Sequence, residues 1–464
     1  MTFLGRTREK KMLAQFFEHT GMSTALIYGR RRVGKSELIK QTLKECRTRS
    51  IYYECKQTSE QNNAGSLAAL IAENFGYPPL SFSGIEETLN FLFQKAQDEK
   101  LILVLDEYPY LREGVRGLDS IVKSLIDEYR EKSQLKLILC GSFVDTMKSL
   151  LLSENALYGR IDLTLNLKPM DYYDSALFYP GFSDEDKVRL YSVFGGIPHY
   201  NRLIDQQLSV RENIISLIAS VGARLENEVS MYLRSEIARI ANANEVFEAL
   251  ARGFSRYSDI LSQSHVSSSP SLADVLDRLI RMEVVAKEAP INDEHSRRKS
   301  GYFISDNLSL FYYRYVFRYA SQMNVMEPET FFDRYIAPDF ENEYVPGRFE
   351  DVCRQYLIRQ NRAGRITPPF ERIGKYWYDL PKEHRNGEFD IVTQDENGYT
   401  FYEAKFRKTP VTEAMIAAEI EQVKATGLNC RRYGFFSRSG FEQQESSEKV
   451  VKIKLSELYR QTTQ

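Results

Sequence analysis

Residues 29–36 combine glycines, a lysine and a serine at the spacing of a phosphate-binding loop. The pattern G-x-x-x-x-G-K-[ST] has its fixed positions at Gly29, Gly34, Lys35 and Ser36. Glycines let successive backbone N–H groups turn toward phosphate oxygens, and a helix start favours negative charge. We expect Lys35 to reach the β- and γ-phosphates of ATP and the Ser36 hydroxyl to ligate Mg²⁺. A basic turn before a surface helix is the alternative.

The flanking residues place this loop between a strand and a helix, which is the context that the pattern requires. The stretch from Thr24 to Tyr28 is typical of a short buried strand, and Lys35 to Cys46 has helical periodicity. We predict further nucleotide contacts from the other residues of the loop and helix start, namely Arg30, Arg31, Arg32, Val33 and Glu37. We assign the three arginines no catalytic role, since a solvated loop face also explains them.

An acidic pair follows a second apolar stretch at residues 101–105. Asp106 and Glu107 come directly after it, at the carboxyl end of a predicted buried strand, where ligands bind in open α/β sheets. We expect Asp106 to hold Mg²⁺, directly or through water. We expect Glu107 to orient and deprotonate the water that attacks the γ-phosphate.

A third buried strand, predicted from Leu135 to Cys140, ends in a glycine and a serine. In P-loop ATPases that carry a catalytic glutamate, an extra strand lies between the loop strand and the metal strand. Its tip presents a small polar residue to the γ-phosphate, and Ser142 fits that role. A glycine–serine turn that closes the strand is the alternative.

Several stretches together resemble the archaeal-type ATPase family, which belongs to the AAA+-like signal-transducing NTPases. They are FLGRTREKKML (3–13), IYGRRRVGKSELI (27–39), LVLDEYPYL (103–111), LCGSF (139–143) and LYGR (157–160). The lid of such proteins carries a glycine-x-proline element, to which residues 194–204 are similar through Gly196 and Pro198. The resemblance implies that Pro198 contributes to the nucleotide site. It also implies that Arg160 senses the γ-phosphate, within the chain or from a neighbouring subunit of a homo-oligomer, although a surface arginine is the alternative.

One residue departs from the pattern of this family. Phe143 stands where its members more often have a second serine, which weakens the role given to Ser142. Members of the family often end in a restriction-endonuclease-like domain, and the length of this chain leaves room for one.

The middle of the chain has the pattern of helices followed by a hairpin. Helices broken by Pro-Gly and Gly-Gly-x-Pro indicate an all-helical lid. Three helices (244–252, 257–263 and 269–282) and two strands (284–289 and 301–304) then follow in winged-helix order. A DNA-binding winged helix would place its third helix in a major groove and Arg297, Arg298 and Lys299 on phosphates. A rigid packing module is the alternative, because the third helix has few exposed basic residues.

The C-terminal third carries a candidate metal site on a hairpin, whose turn is marked by Asn397-Gly398. Asp390 lies on the first predicted strand, and Glu403 and Lys405 share one face of the second. This arrangement resembles the PD-(D/E)xK nuclease core, where two carboxylates hold Mg²⁺ and a lysine positions the nucleophilic water. Glu350, on a predicted helix at 341–360, matches the acidic residue that such folds place on a preceding helix. A hairpin with solvated charges and a nuclease-like fold without turnover are the alternatives.

The composition restricts the class of protein. With 464 residues and a net charge of −2, several domains are expected, and nucleic-acid binding requires a local basic patch. The five cysteines are scattered without C-x-x-C pairs, which argues against zinc and suits a reducing cytoplasm. We expect neither a secretory signal nor a transmembrane span, since no stretch is apolar enough.

From these patterns we predict an α/β multi-domain protein with ATP and Mg²⁺ as cofactors. Its predicted parts are a P-loop AAA+-like parallel-sheet core (1–165), a helical lid (166–235), a winged helix (236–325) and a restriction-endonuclease-like domain (326–464). The predicted function is an ATP-hydrolysing switch coupled to the terminal domain, with double-stranded DNA as a partner. The alternatives are a nucleotide-regulated DNA-binding protein and a scaffold, both without nuclease activity.

Overall fold

The computed structural model describes two compact units. The described residues are 3–237, 243–296, 298–380, 385–443 and 445–460. Unit 1 comprises Met1–Met170 with Ile197–His199, and unit 2 comprises Asp171–Gly196 with Tyr200–Gln464. Within the described ranges, no helix is both long and apolar enough to cross a lipid bilayer.

Unit 1 is built around a five-stranded parallel sheet. Its strands are β1 (Ser23–Tyr28), β2 (Arg49–Glu54), β3 (Leu101–Asp106), β4 (Lys136–Gly141) and β5 (Leu163–Asn166). The strand order is β2-β3-β4-β1-β5. Strands β1, β3 and β4 are buried at every residue, as expected for central parallel strands with both faces covered.

The strand order brings the predicted site elements to one edge of the sheet. The helices of unit 1 are α1 (Thr7–Glu18), α2 (Lys35–Glu45), α3 (Glu60–Phe75), α4 (Ile85–Asp98), α5 (Tyr108–Gly114), α6 (Leu118–Tyr129) and α7 (Val144–Ser149). Strand β4 lies between β1 and β3, as the resemblance implied for the extra strand. Because all three strands run parallel, their carboxyl ends lie side by side.

Gly29 follows β1 at a point where the backbone after β5 comes close. The N–H of Leu167 donates to the carbonyl oxygen of Tyr28 at 2.6 Å. A Cβ atom added to Gly29, which has a φ of +155°, would lie 2.3 Å from the carbonyl oxygen of Leu167. A packing contact within unit 1 therefore requires a glycine at the first position of the loop.

We expect Gly29→Ala to lower the free energy of unfolding by about 2–5 kcal/mol. The backbone strain contributes roughly 1–2 kcal/mol and the overpacking roughly another 1–3 kcal/mol. Urea unfolding followed by circular dichroism measures the change. Gly21→Ala is the matched control, because Gly21 also has a positive φ (+72°) but faces open space. Equal losses in the two variants would contradict the contact with Leu167.

Unit 2 is mainly helical, with a small hairpin within residues 285–304, and it ends in a mixed sheet. Its helices are α8 (Tyr172–Ala176), α9 (Asp184–Phe194), α10 (Pro198–Asn201, which begins in unit 1), α11 (Val210–Leu217), α12 (Glu228–Ile237), α13 (Ala243–Ala251), α14 (Tyr257–Gln263), α15 (Ser269–Arg281), α16 (Asn307–Phe311), α17 (Ala320–Met323), α18 (Pro328–Tyr335), α19 (Ala337–Asp339), α20 (Val345–Arg362), α21 (Glu413–Ala425) and α22 (Leu455–Leu458). Two π-helical turns, Tyr312–Val316 and Phe340–Tyr344, and a 3₁₀ turn, Phe317–Tyr319, interrupt this order.

The strands of unit 2 form one two-stranded and one five-stranded sheet. They are β6 (Val285–Glu288), β7 (Gly301–Ile304), β8 (Arg372–Leu380), β9 (Arg385–Asp395), β10 (Gly398–Lys405), β11 (Cys430–Ser437) and β12 (Val450–Lys454). In the larger sheet, β8, β9 and β10 pair antiparallel, whereas β10, β11 and β12 pair parallel. The predicted hairpin corresponds to β9 and β10, but its two-residue turn is Glu396-Asn397 and not Asn397-Gly398, because Gly398 already pairs with Asp395 in the sheet.

Candidate functional site

The phosphate-binding loop joins β1 to the start of α2. Gly34 precedes the helix with a φ of +95°, and no side chain of the described residues caps this end. The first backbone N–H groups of α2 are therefore available to an anion. The ammonium of Lys35 is buried. It donates to three oxygens: the carbonyls of Gly29 at 2.9 Å and Arg30 at 3.2 Å, and the Ser142 hydroxyl at 2.8 Å.

Asp106 and Ser36 form a hydrogen-bonded pair beside the loop. The Ser36 hydroxyl donates to Oδ2 of Asp106 at 2.6 Å, and the hydroxyl of Tyr52 on β2 donates to the same oxygen. Burial raises the pKa of Asp106, but the hydrogen bonds from Ser36, Tyr52 and Cys140 outweigh it and hold the pKa below its ordinary value. The carboxylate is therefore ionised at neutral pH. An ionised carboxylate beside a hydroxyl is a donor set that suits Mg²⁺.

Glu107 has an uncommon backbone conformation, and Ser142 holds its carboxylate. Its φ of 52° is left-handed, and a non-glycine residue with positive φ is uncommon and typical of functional sites. The Ser142 hydroxyl donates to Oε1 of Glu107 at 2.6 Å, and the Ser142 N–H donates to Oε2 at 3.1 Å. Ser142 thus links the carboxylate of Glu107 to the ammonium of Lys35 across the sheet edge.

Phe143 has a role that the sequence did not indicate. The guanidinium of Arg31 lies over the Phe143 ring, 5.5 Å from its centroid, and donates to the hydroxyl of Tyr110 at 2.8 Å. The rings of Tyr110 and Phe143 meet edge to face at 5.7 Å. The aromatic residue at this position therefore anchors one arginine of the loop.

The other predicted loop residues differ in their surroundings. Val33 is fully buried, and its carbonyl accepts a hydrogen bond from Arg6 at 3.1 Å. Arg32 and Glu37 are exposed. Pro198 lies against the loop, since a Cβ atom on Gly34 would be 3.8 Å from its Cγ. Nucleotide contacts from these residues stay a prediction.

Arg160 does not join the loop within the chain. Its guanidinium pairs with both carboxylate oxygens of Asp127, at 3.1 and 3.2 Å, and donates to the carbonyl of Tyr158 at 2.9 Å. Among the described residues, these are its hydrogen-bond partners, and neither belongs to the loop. A role toward the γ-phosphate of a neighbouring subunit stays a prediction and would require Arg160 to leave Asp127.

In unit 2 the structure brings together the acidic residues predicted for a second site, which we call the carboxylate cluster (Glu350, Asp390 and Glu403). Tyr402 on β10 pairs with Ile391 on β9, so Glu403 and Asp390 are the next residues along the two strands. The Asp390 carboxylate acts electrostatically on Glu403, so the two acids lie near each other. Glu350 lies on α20. Burial raises its pKa, and the Asp390 carboxylate raises it further, whereas Lys375 opposes the shift.

Two lysines contact acidic residues of this cluster. The ammonium of Lys405 contacts Glu403 at 2.6 Å and Glu419 on α21 at 3.0 Å. The ammonium of Lys375 on β8 contacts Asp390 at 2.9 Å. Burial raises the pKa of Glu403, and Lys405 acts in the opposite direction. The sequence did not point to Lys375 or Glu419, because charged residues on strands and helices are common.

The carboxyl oxygens of the cluster have the donor chemistry of a magnesium site, but their arrangement is not that of a preformed one. In the described part of the chain, no group of three or more His, Cys, Asp or Glu side chains is placed to hold a metal ion. Metal binding here would require a carboxylate to leave its lysine.

The elements predicted for a winged helix occur in the predicted order, as α13, α14, α15, β6 and β7. The basic residues of α15 pair with acids one turn away, Arg278 with Asp274 and Arg281 with Asp277. These pairs leave little uncompensated positive charge for DNA phosphates, and a major-groove role of α15 stays a prediction.

The loop between β6 and β7 packs on the edge strand β8 instead of projecting from the unit. The Ile291 N–H donates to the carbonyl of Lys375 at 2.8 Å, and the Asn292 side chain bonds to both backbone groups of Trp377, at 2.8 and 3.1 Å. Ile291 also packs in the core of the mixed sheet. The loop thus covers a sheet edge, which favours the packing alternative.

The loop residues predicted to bind phosphate have other surroundings or are not described. Lys299 pairs with Asp293 at 2.9 Å, so its charge is already compensated. Arg298 is exposed. Arg297 lies outside the described residues, and its contact with DNA stays a prediction.

The parallel sheet with β4 between the loop strand and the acidic strand, together with the loop itself, defines a Walker-type P-loop ATPase fold. Comparison with known proteins agrees. Residues 3–203 match a family described as an ATPase domain predominantly from Archaea. Residues 312–419 match a family of archaeal and bacterial proteins of unknown function. The chain therefore carries an archaeal-type ATPase domain followed by this second domain, and the resemblance stated from the sequence is confirmed for the ATPase.

Two similar proteins extend over most of the chain. An uncharacterized protein of Methanocaldococcus jannaschii is 28% identical over 397 residues, which is 85% of this chain and 85% of the relative. The Walker-type ATPase of Pyrococcus abyssi has a solved structure that is 23% identical, with a TM-score of 0.50. That alignment covers 67% of this chain and 96% of the other. The structural likeness shows the shared fold.

Proposed function

We propose that unit 1 binds ATP with Mg²⁺ and hydrolyses it, and that nucleotide binding switches the arrangement of the domains. The contact of Ser142 with both Lys35 and Glu107 supports this most directly, because it joins the phosphate-binding lysine to the candidate base. The family match of residues 3–203 supports the same activity.

Each side chain of the site has a distinct role in this proposal. The loop N–H groups and Lys35 bind the β- and γ-phosphates, Ser36 and Asp106 would hold the metal, and Glu107 accepts the proton of the attacking water. Bound Mg²⁺ would neutralise charge on the phosphate oxygens. Ser142 orients Glu107 before the water arrives and keeps Lys35 at the sheet edge.

We expect Lys35→Ala to weaken ATP binding by about 10- to 100-fold, because a hydrogen bond to a charged group contributes roughly 1.5–3 kcal/mol. Fluorescent ATP titration and phosphate release measure the effect. Lys44→Ala is the matched control, since Lys44 lies on the same helix and is exposed. Normal ATP binding and hydrolysis by the Lys35 variant would show that the loop is not a phosphate site.

We further propose that the C-terminal part is a nuclease-like domain that acts on double-stranded DNA under control of the ATPase. The proximity of Glu350, Asp390 and Glu403, whose carboxylates act on one another electrostatically, supports this, as does the contact of Lys405 with Glu403. In this proposal the core spans 1–165, the helical lid 166–235, the winged helix 236–325 and the nuclease-like domain 326–464. Assembly into a homo-oligomer would let Arg160 act on a neighbouring nucleotide.

A second candidate function is a nucleotide-regulated DNA-binding protein or scaffold without nuclease activity. The lysines on Asp390 and Glu403 favour it, because they occupy the carboxylates that a metal would need. The absence of a preformed metal group among the described residues points the same way.

Incubation of the purified full chain with plasmid DNA, with ATP and Mg²⁺ present or omitted, separates the candidates. Nicking that requires Mg²⁺ supports the nuclease. A gel shift without nicking supports regulated DNA binding, and neither effect supports a scaffold. ATP hydrolysis measured in the same samples tests unit 1 separately, so either proposal can fail alone.

A further inference from the structure

Unit 2 contains a cavity of about 580 Å³ away from the carboxylate cluster. Its walls come from the end of α13, the irregular helix at 312–319, and the segment from α18 to the second π-helical turn. The cavity has the volume of a site for a small organic molecule. Most of its lining falls within residues 312–419, the domain whose function is unknown.

Positive charge dominates the lining of this cavity. Four arginines face two acidic residues, Asp339 and Glu343. Arg314 contacts both acids, at 3.1 and 3.0 Å, and the Tyr315 hydroxyl donates to Asp339 at 2.8 Å. Arg314 is thus shared by the two carboxylates, and the four arginines outnumber the two acids in the lining.

The remaining arginines of the lining are Arg252, Arg318 and Arg334. All three are exposed, and none has a carboxylate partner among the residues that the structure describes. The cavity therefore has an excess of positive charge that is directed at solvent, as an anionic ligand requires.

Aromatic rings stand beside these charges. Four tyrosines line the cavity: Tyr313, Tyr315, Tyr319 and Tyr335. Tyr319 and Tyr335 lie 4.5 Å apart with their planes tilted by 34° and are only half-buried. The Arg318 and Arg334 guanidinium groups lie 5.4 and 5.6 Å from the neighbouring rings. Partly exposed aromatic rings next to arginines are surfaces on which nucleobases stack.

Both irregular helical segments contribute to this site. The π-helical turn at 312–316 carries Tyr313, Arg314 and Tyr315, and the turn at 340–344 carries Glu343. A π-helical turn changes the direction of the side chains that follow it, and such turns occur frequently at functional sites. Two of them in the wall of one cavity are a second observation that points to binding.

We propose that this cavity binds a single-stranded segment of nucleic acid. Unstacked bases lie against Tyr319 and Tyr335, and phosphates contact Arg252, Arg318 and Arg334. A duplex keeps its bases stacked inside and is too wide for a cavity of this volume, whereas a single strand offers both bases and phosphates. The proposal shares with the proposed function only the assignment of nucleic acid to unit 2.

The test is fluorescence anisotropy of the full chain with a labelled oligothymidine of about 12 nucleotides, a length typical of single-strand sites. EDTA is present and ATP is absent, so failure of the ATPase or of the nuclease leaves the result unchanged. The charge variant replaces Arg252, Arg318 and Arg334 with alanine. Its matched control replaces three exposed arginines outside the cavity, Arg8, Arg116 and Arg224, so both proteins have the same net charge.

We expect the charge variant to lose at least about tenfold in affinity and to reduce the slope of log K against log salt by about 2, since three phosphate contacts contribute roughly 0.7 each. The control should keep the affinity and slope of the wild type. Tyr319→Ala should weaken binding by about 5- to 100-fold, while Tyr319→Phe, which keeps the ring, should bind like the wild type.

Three results would overturn the proposal. The first is equal affinity and slope for the charge variant and its control. The second is equal binding of Tyr319→Ala and wild type. The third is displacement of the oligonucleotide by thymidine monophosphate at the same nucleotide concentration, which would assign the cavity to a free nucleotide. Melting curves of every variant confirm that a loss of binding is not a loss of folding.

Discussion

Replacing Glu107 with glutamine is expected to leave ATP binding intact and to lower kcat for hydrolysis by about 10²- to 10⁴-fold, the usual contribution of a general base. Glutamine keeps the size of the side chain, and its amide oxygen can still accept a hydrogen bond from the Ser142 N–H, while its NH₂ group would donate to the Ser142 hydroxyl. It cannot accept a proton from water. The loss should therefore be in the chemical step alone.

Phosphate release under saturating ATP and equilibrium binding of a fluorescent nucleotide measure the two properties separately. Glu113→Gln is the control, because Glu113 is an exposed acid on the adjacent helix α5. Asp106→Ala should differ from both by weakening binding of the magnesium–nucleotide complex. Wild-type turnover in both the Glu107 and the Asp106 variants would show that Asp106 does not hold the metal and that Glu107 is not the general base.

Replacing Asp390 with alanine is expected to abolish metal-dependent DNA cleavage, because the metal would lose a carboxylate ligand. Glu403→Ala should have the same effect. Lys405→Ala should retain metal binding and lose turnover, since a lysine in this position acts on the water and not on the ion. None of these changes should alter basal ATP hydrolysis, because the residues lie outside unit 1.

Titration of the nucleotide-free chain with Mn²⁺, together with plasmid nicking, tests this expectation. Glu396→Gln is the matched control, since Glu396 lies in the turn of the same hairpin and is exposed. Cleavage by the Asp390 variant at the wild-type rate would exclude the cluster as a nuclease site. Metal binding that Asp390→Ala and Glu403→Ala leave unchanged would place the ion elsewhere.

Several features were predictable because they depend on neighbours along the chain. The loop required a strand before it and a helix after it, and β1 and α2 begin and end within about two residues of the prediction. The Asn397-Gly398 pair indicated the hairpin of β9 and β10 to within one residue of its turn, and the apolar runs indicated β3 and β4 as buried strands. In each case local propensity and period are enough to specify the element.

Other features depend on contacts between residues that are distant in sequence. Tyr52 reaches Asp106 across 54 positions, and Lys375 reaches Asp390 from another strand. The residues around Tyr52 and Lys375 in the sequence do not indicate either contact. Phe143 appeared as a departure from a family pattern, but its ring supports Arg31.

The loop between β6 and β7 is another feature for which the sequence pattern and the tertiary contacts point to different roles. Its basic residues suggested contact with DNA, yet Ile291 and Asn292 attach it to strand β8. A sequence pattern specifies which residues can turn, pair or carry charge, because those properties are local. Which partner each residue meets depends on tertiary packing. Packing must bury apolar area and pair polar groups across the whole unit at once, so it cannot be inferred from one stretch of sequence. The amino-acid order thus indicated the phosphate loop and the acids, while the folded chain alone revealed how Ser142 joins them and where an arginine–tyrosine cavity forms.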